Sequence, residues 1–197
     1  MTFNSSEKNG DEAKGSAAGN LVAEKLFKSR SVTIFGEIND KIARTVTEKL
    51  LALAAESDEE IFVYISSPGG HVESGDVIYD IIKFIKPEVK VIGTGWVASA
   101  ATTIYLAAKK ENRFALPNTR FLVHQPSGGS RGDATDIKIQ AEEIVKTRAR
   151  INQLIADETG QPLDRVAKDT DRDYWMTVEE ASDYGIVNKV VSSIAEI

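Results

Sequence analysis

Three successive stretches of this chain pass from a run of β-branched and apolar residues, through a glycine turn, into an amphipathic segment, and that order constrains the fold more than any other feature. In the first, SVTIFGE from Ser31 predicts a strand closed by Gly36. The following NDKIARTVTEKLLALAAES spaces Ile42, Val46, Leu50 and Leu53 three or four residues apart, with Asn39 or Asp40 available as the helix cap. The second, EIFVYISSPGGHVESGDVIYDIIKFIKPE, has an almost continuously apolar strand from Ile61 to Ile65, a turn at Gly69 and Gly70, and a helix bearing Val77, Ile78, Ile81, Ile82 and Ile85. The third gives VKVIGTG as strand, WVASAATTIYLAAKK as helix, and RFAL and RFLVHQP as two further strands. Strands apolar on both faces belong in a sheet covered by helices, so the predicted class is α/β. If neighbouring strands run parallel, their turns meet at one sheet edge.

The rest of the chain is less repetitive. A glycine-rich connection, SGGSRGD, precedes the longest predicted helix, from about Thr135 to Glu158, with Ile137, Ala141, Ile144, Ile151 and Ile155 at helical spacing. Thr159, Gly160 and Pro162 stop it. Such a helix fits a contact between subunits and a plain solvated surface equally well. A short helix near Leu163 to Lys168, the run DTDRD, a helix over Val178 to Tyr184 and a strand in IVNKVV follow. Residues 1–19 lack both the apolar core of a signal peptide and the arginine-rich character of a transit peptide, and read as a flexible or processed leader. Residues 20–197 are expected to form a single domain, long enough to bury a sizeable core.

Composition removes several function classes. A net charge of −6 and a pI near 5.1 argue against binding to nucleic acid or an anionic membrane, which needs a basic surface. With no cysteine, disulfides, thiolate catalysis and cysteine-ligated zinc are excluded, and the composition fits a reducing compartment, here expected to be the cytoplasm. The apolar stretch from Val97 to Ala108 is broken by Ser and Thr and falls short of the roughly 20 residues that span a bilayer. No Walker, dinucleotide-glycine or HExxH pattern occurs, so neither a metal nor a cofactor is expected in this chain. Any nucleotide dependence would come from a partner.

The chemistry then narrows to few residues. Only His71 and His124 can act as an imidazole base. Ser99, in GWVASA, stands where strand passes to helix, beside backbone N–H groups left without partners at a helix start. Gly69 and Gly70 end the preceding strand, where a chain without side chains can turn its N–H groups toward a bound carbonyl. His124 ends LVHQP and could reach the same edge. Asp164, Asp169, Asp171 and Asp173 are four candidate partners for its ring. Against this stands the ordinary reading: serines cap helices and glycine pairs make turns.

Taken together, FVYISSPGGHVESGDVIYDIIKFIKPEV, GTGWVASA, RFALPNTRFLVHQPSGGSRGDATDIKIQAEEI and DTDRDYWMTVEEASDYGIV closely resemble the Clp protease proteolytic subunit (ClpP) family, over about Ser29 to Val191. Four motifs in order are far more specific than any one alone. The resemblance implies a ClpP/crotonase-like fold of repeated strand-turn-helix units with a protruding helix-strand handle. It implies Ser99 as nucleophile, His124 as general base and Asp173 as the residue orienting the imidazole, with the backbone N–H groups of Gly70 and Ala100 as oxyanion hole. It further implies two stacked seven-membered rings joined by the long helix and a glycine-rich strand near Gly128 to Gly132, with Asp171 and Arg172 bridging the rings. Phe62, Tyr64 and Phe84 match positions that dock a Clp-type ATPase unfoldase, which would spend the ATP and feed in unfolded polypeptides.

Departures from the family pattern fall close to the expected site. His71 stands where a small serine is usual, Trp96 where glutamine is usual, and Ala100 in place of the common methionine. Residues 1–27 lack the family's proline-containing segment and tyrosine-rich run. A ring subunit that needs a paralogue for activity is the alternative within the family. An acyl-CoA hydratase or isomerase of crotonase fold is the alternative outside it, although such enzymes rely on glutamate acids.

Overall fold

The computed structural model describes residues 19–129 and 131–197. The expected leader lies outside the described residues, apart from Gly19, which belongs to helix α1 (residues 19–28). The three repeated units form as their patterns require. Strand β1 (Ser31–Phe35) leads to α2 (Asp40–Glu56), β2 (Ile61–Ser67) to α3 (Val72–Phe84), and β3 (Val89–Ala98) to α4 (Ala100–Leu106). Asn39 is the cap of α2, its side chain accepting from the Ile42 N–H at 3.0 Å. These three strands pair in parallel, so the turns after β2 and β3 do share one edge.

Beyond β3 lie β4 (Arg113–Ala115) and β7 (Lys189–Val190), giving the order β1-β2-β3-β4-β7. A branch leaves this path at β3, whose last residues pair with β5 (Arg120–Val123), which in turn pairs antiparallel with β6 (Tyr174–Met176). Gly95, at φ +62°, marks the division: Val91 to Gly93 pair with β4, and Trp96 to Ala98 pair with β5. Here the structure corrects the expectation that WVASA begins a helix. A ladder partner in β5 keeps Trp96, Val97 and Ala98 extended, and the chain turns only at Ser99. The expected strand in IVNKVV shrinks to the two residues of β7.

The core follows the two periodicities. Helix α2 buries Ala43, Val46, Leu50 and Leu53. In β2, Ile61, Val63 and Ile65 are fully buried while Phe62 and Tyr64 face the other side of the sheet. Each buried aliphatic side chain contributes roughly 1.5–3 kcal/mol. A polar anchor pins the far side of this core. The side chain of Arg113 is 1% exposed and donates to the carbonyls of Ala108 (2.8 Å), Leu106 (2.8 Å) and Glu158 (2.7 Å), and also to the Glu158 carboxylate. Glu158 accepts as well from Lys83 at 2.6 Å and Tyr79 at 3.1 Å. Burial pushes its carboxyl pKa up, but the bonds and charges of Lys83 and Arg113 outweigh that and hold it below the usual carboxylate value.

Helix α5 (Ala134–Thr159) ends in Gly160, which adopts the left-handed conformation at φ +77°. Only its second half is embedded, through Ile151, Asn152, Ile155 and Ala156, whereas Ile137, Ala141 and Val145 lie exposed along one stripe. The glycine-rich strand expected near Gly128 to Gly132 is not formed among the described residues. Within one protomer that backbone has no ladder to join. The described part of the handle is therefore helix α5. Two short helices, α6 (Leu163–Asp169) and α7 (Val178–Tyr184), complete the layer, α7 starting on a capping box of Thr177 and Glu180.

Candidate active site

Ser99 forms the turn between β3 and α4 with φ 57° and ψ −125°, a conformation that side chains rarely adopt. Although it is the N-cap residue, its hydroxyl makes no capping bond. Instead Ser99 Oγ lies 2.8 Å from His124 Nε2. That separates it from the ordinary cap. Three neighbours fix the turn: the Ser99 N–H donates to the Leu122 carbonyl at 2.9 Å, and Thr102 Oγ1 donates to the carbonyls of both Val97 and Leu122 at 2.9 Å. The ends of β3 and β5 are thus tied together two residues before His124.

His124 Nδ1 lies 2.8 Å from Asp173 Oδ1. A carboxylate only accepts, so Nδ1 carries the proton and Nε2 is left to accept from the Ser99 hydroxyl. Asp173 is placed by β6, whose register pairs Tyr174 with Val123 and so sets Asp173 beside His124. The segment before it is fastened by Gln125, whose N–H donates to the Thr170 carbonyl and whose side chain donates to the Asp171 carbonyl, both at 2.6 Å. Buried Thr170 donates in turn to Asn152 at 2.8 Å and to the Val166 carbonyl at 2.9 Å. Among the other candidate aspartates, Asp169 accepts from Tyr184 and Asp171 from Arg148, while Asp164 sits exposed in the first turn of α6. His71 is engaged elsewhere, with Nδ1 2.8 Å from Ser74 Oγ and Nε2 3.0 Å from Glu73 Oε2.

The glycine pair meets a steric demand. A Cβ on Gly69, at φ +91°, would lie 2.6 Å from the Ser99 Cβ and 2.7 Å from the Ala98 carbonyl oxygen. One on Gly70, at φ +148°, would lie 2.2 Å from the Ile38 carbonyl oxygen. The turn is held by the Gly69 N–H donating to buried Ser67 Oγ at 3.1 Å, and by the Ile38 N–H donating to the Gly69 carbonyl at 2.8 Å. The amides of Gly70 and Ala100 donate to no acceptor among the described residues. A cavity beside Ser99 is walled mostly by apolar residues, Val72, Ala100, Val123, Ile151 and Ile155, with Asp76 and Thr103 also lining it.

The remaining candidates fall in two places. Phe62 and Tyr64 pack with Ile92, Phe114 and Val191 on the sheet face turned away from the main core, whereas Phe84 is 80% exposed at the end of α3 and stands outside that cluster. Asp171 pairs with Arg148 at 3.0 Å in the same protomer, and Arg172 makes no ion pair among the described residues. Trp96, which could have been core, is exposed, as is Trp175, over whose ring Arg120 stacks at 4.5 Å. The contributions of Thr102, Gln125, Thr170 and Asn152 were not foreseen, because single Thr, Gln and Asn residues carry no spacing signal.

The Clp protease family model matches residues 14–194. The chain belongs to the Clp protease family. It is 58% identical over 191 residues to ATP-dependent Clp protease proteolytic subunit 3 of Rhizobium etli, covering 97% of this chain and 98% of the relative. It is 47% identical over 197 residues to proteolytic subunit 2 of Pseudomonas aeruginosa, covering 100% and 98%. Among solved structures, ClpP1 from Listeria monocytogenes superposes with a TM-score of 0.81 at 53% identity, over 89% of this chain and 98% of that one. The fold is that of the Clp proteolytic subunits, and the chain is a serine peptidase of their type. No described helix is long and apolar enough to cross a membrane.

Proposed function

We propose that Ser99, His124 and Asp173 are the catalytic residues of this Clp-type peptidase and that it hydrolyses unfolded polypeptides. The observation that carries this reading is the unbroken line from Asp173 through His124 to Ser99, at 2.8 Å and 2.8 Å, ending near the amides of Gly70 and Ala100, which donate to no acceptor among the described residues. In the first half-reaction Ser99 Oγ attacks the peptide carbonyl carbon as His124 Nε2 takes its proton. The oxyanion is held by the N–H groups of Gly70 and Ala100, and His124 then returns the proton to the leaving amine. Water, activated by the same imidazole, releases the acyl group and restores Ser99. Asp173 keeps the ring in the tautomer with Nδ1 protonated. The cavity at Ala100 takes the side chain before the scissile bond.

The working form is two stacked seven-membered rings formed by residues 20–197 as one peptidase domain. Asp171 exchanges its intrachain contact with Arg148 for a partner across the rings, together with Arg172. A Clp-type ATPase docks on the face bearing Phe62 and Tyr64, with exposed Phe84 at the end of α3 as a further contact. The ATPase uses ATP, and this chain needs no cofactor. The cytoplasm is its compartment. Numbered names among the relatives, subunit 3 in Rhizobium etli and subunit 2 in Gluconobacter oxydans, favour a second reading in which the ring is mixed and active only with a paralogue.

Hydrolysis of a short fluorogenic peptide by the assembled protein, alone and with a paralogous subunit, tests both. Asp173→Asn should lower turnover on the order of 10^3–10^4-fold by allowing the wrong tautomer. Full activity in that variant would remove Asp173 from the mechanism. Cleavage that appears only after the paralogue is added would establish the mixed ring.

A further inference from the structure

The sheet face carrying Phe62 and Tyr64 already has an occupant. Tyr64, Ile92 and Phe114 stand in one row across β2, β3 and β4, paired Tyr64 to Ile92 and Ile92 to Phe114, and Val191, one residue past β7, packs in the same cluster as Ile92 and Phe114. Ile197 packs against this cluster from the same chain. Its placement is built rather than incidental. A turn over Ile194–Glu196 is closed by a capping box in which Glu196 Oε1 accepts from the N–H groups of Ser192 at 2.9 Å and Ser193 at 2.7 Å. The Ala195 N–H donates back to Ser193 Oγ at 3.3 Å, and Lys189 Nζ donates to the Glu196 carbonyl at 2.8 Å. The turn therefore sets the Ile197 side chain against Ile92, Phe114 and Val191, the cluster on which Phe62 and Tyr64 also pack.

We infer that the Ser193–Ile197 turn is an intramolecular competitor for the ATPase-docking patch, so that an incoming apolar side chain of the ATPase must displace Ile197. The inference rests on the proposal that this patch is the docking site. A competitor lowers apparent affinity by the fraction of time the patch is open, with no effect on the catalytic residues on the other side of the sheet edge.

Two variants act on the cap by different routes: Ile197→Asp removes the apolar occupant, and Glu196→Ala removes the acceptor that closes the turn. Each is compared with the wild-type full chain by hydroxyl-radical footprinting of Tyr64 and by biolayer interferometry against a Clp-type ATPase hexamer held with ATPγS. The expected result for both is stronger labelling of Tyr64 and a Kd lower by roughly threefold to tenfold, with fluorogenic-peptide hydrolysis unchanged. Unchanged labelling, or stronger labelling with an unchanged Kd, overturns the inference. Tyr64→Ala separates the two levels: if it leaves ATPase binding intact, the docking reading fails and the competitor with it. If it abolishes binding while both cap variants bind as wild type, only the competitor fails.

Discussion

Ser99 holds a backbone conformation that costs on the order of 1–3 kcal/mol for a residue with a side chain, and among the described non-glycine residues only Arg30 shares its positive φ. Ser99→Gly should therefore raise the unfolding free energy in urea by about 1 kcal/mol, after subtracting glycine's own entropic cost of roughly 0.5–1 kcal/mol. Peptidase activity should be lost in the same variant. A destabilised Ser99→Gly protein would show that the turn is not strained. Gly69→Ala tests the opposite pressure, because its methyl group would meet the Ser99 Cβ at 2.6 Å. It should cost about 2 kcal/mol or more and slow turnover, both read on one preparation. At this scale Ser99 and His124 were legible, since a chain with two histidines offers few bases and a serine after a strand is conspicuous. Asp173 was not legible from residue type: four aspartates lie within ten positions, and beyond the family resemblance it is the backbone pairing that follows DTDRD that sets Asp173 beside His124.

That pairing belongs to the level of elements, where long periodic segments read well and short ladders did not. Helices α2 and α3 and strands β1 and β2 follow directly from apolar spacing. Strand β6 is three residues long and exists because β5 offers it a ladder, and the same tertiary pairing holds Trp96–Ala98 extended against the helix-like pattern of WVASAATTIYLAAKK. Periodicity in α5 was real but mixed two surfaces: Ile151 and Ile155 enter the core, while Ile137, Ala141 and Val145 do not. Its C-terminal end is anchored through Glu158 to α3 and β4. Because the folded carboxyl pKa is depressed, this anchor stabilises fully above the ordinary value near 4.5 and loses that contribution as pH falls through the lower folded value. Glu158→Gln should cost about 3 kcal/mol at pH 7, leaving buried Arg113 without its counter-charge. The gap between the variant and wild-type urea midpoints should close as the pH is lowered through the depressed folded pKa of Glu158. A gap independent of pH would show that the carboxylate's charge contributes nothing.

For the whole molecule, the decisive surfaces are those that one protomer leaves unsatisfied. The exposed fractions of Ile137 (44%) and Val145 (66%), one helical face apart by eight residues, mark an apolar stripe on a projecting helix, as expected of a surface covered by assembly. Val145→Asp should shift native mass spectra from the proposed double ring toward smaller species and lower peptide hydrolysis with it; an unshifted assembly would place the contact elsewhere. Assembly was legible in the sequence only through family resemblance, because a solvated helix and a buried one between subunits share the same spacing. The proposed hydrolysis turns on one nucleophile. Intact-mass analysis of the assembled protein after exposure to a fluorophosphonate should show a single adduct per chain, mapped to Ser99 by fragmentation and absent from Ser99→Ala. An adduct that persists in Ser99→Ala, or no adduct on a correctly assembled ring, would contradict it.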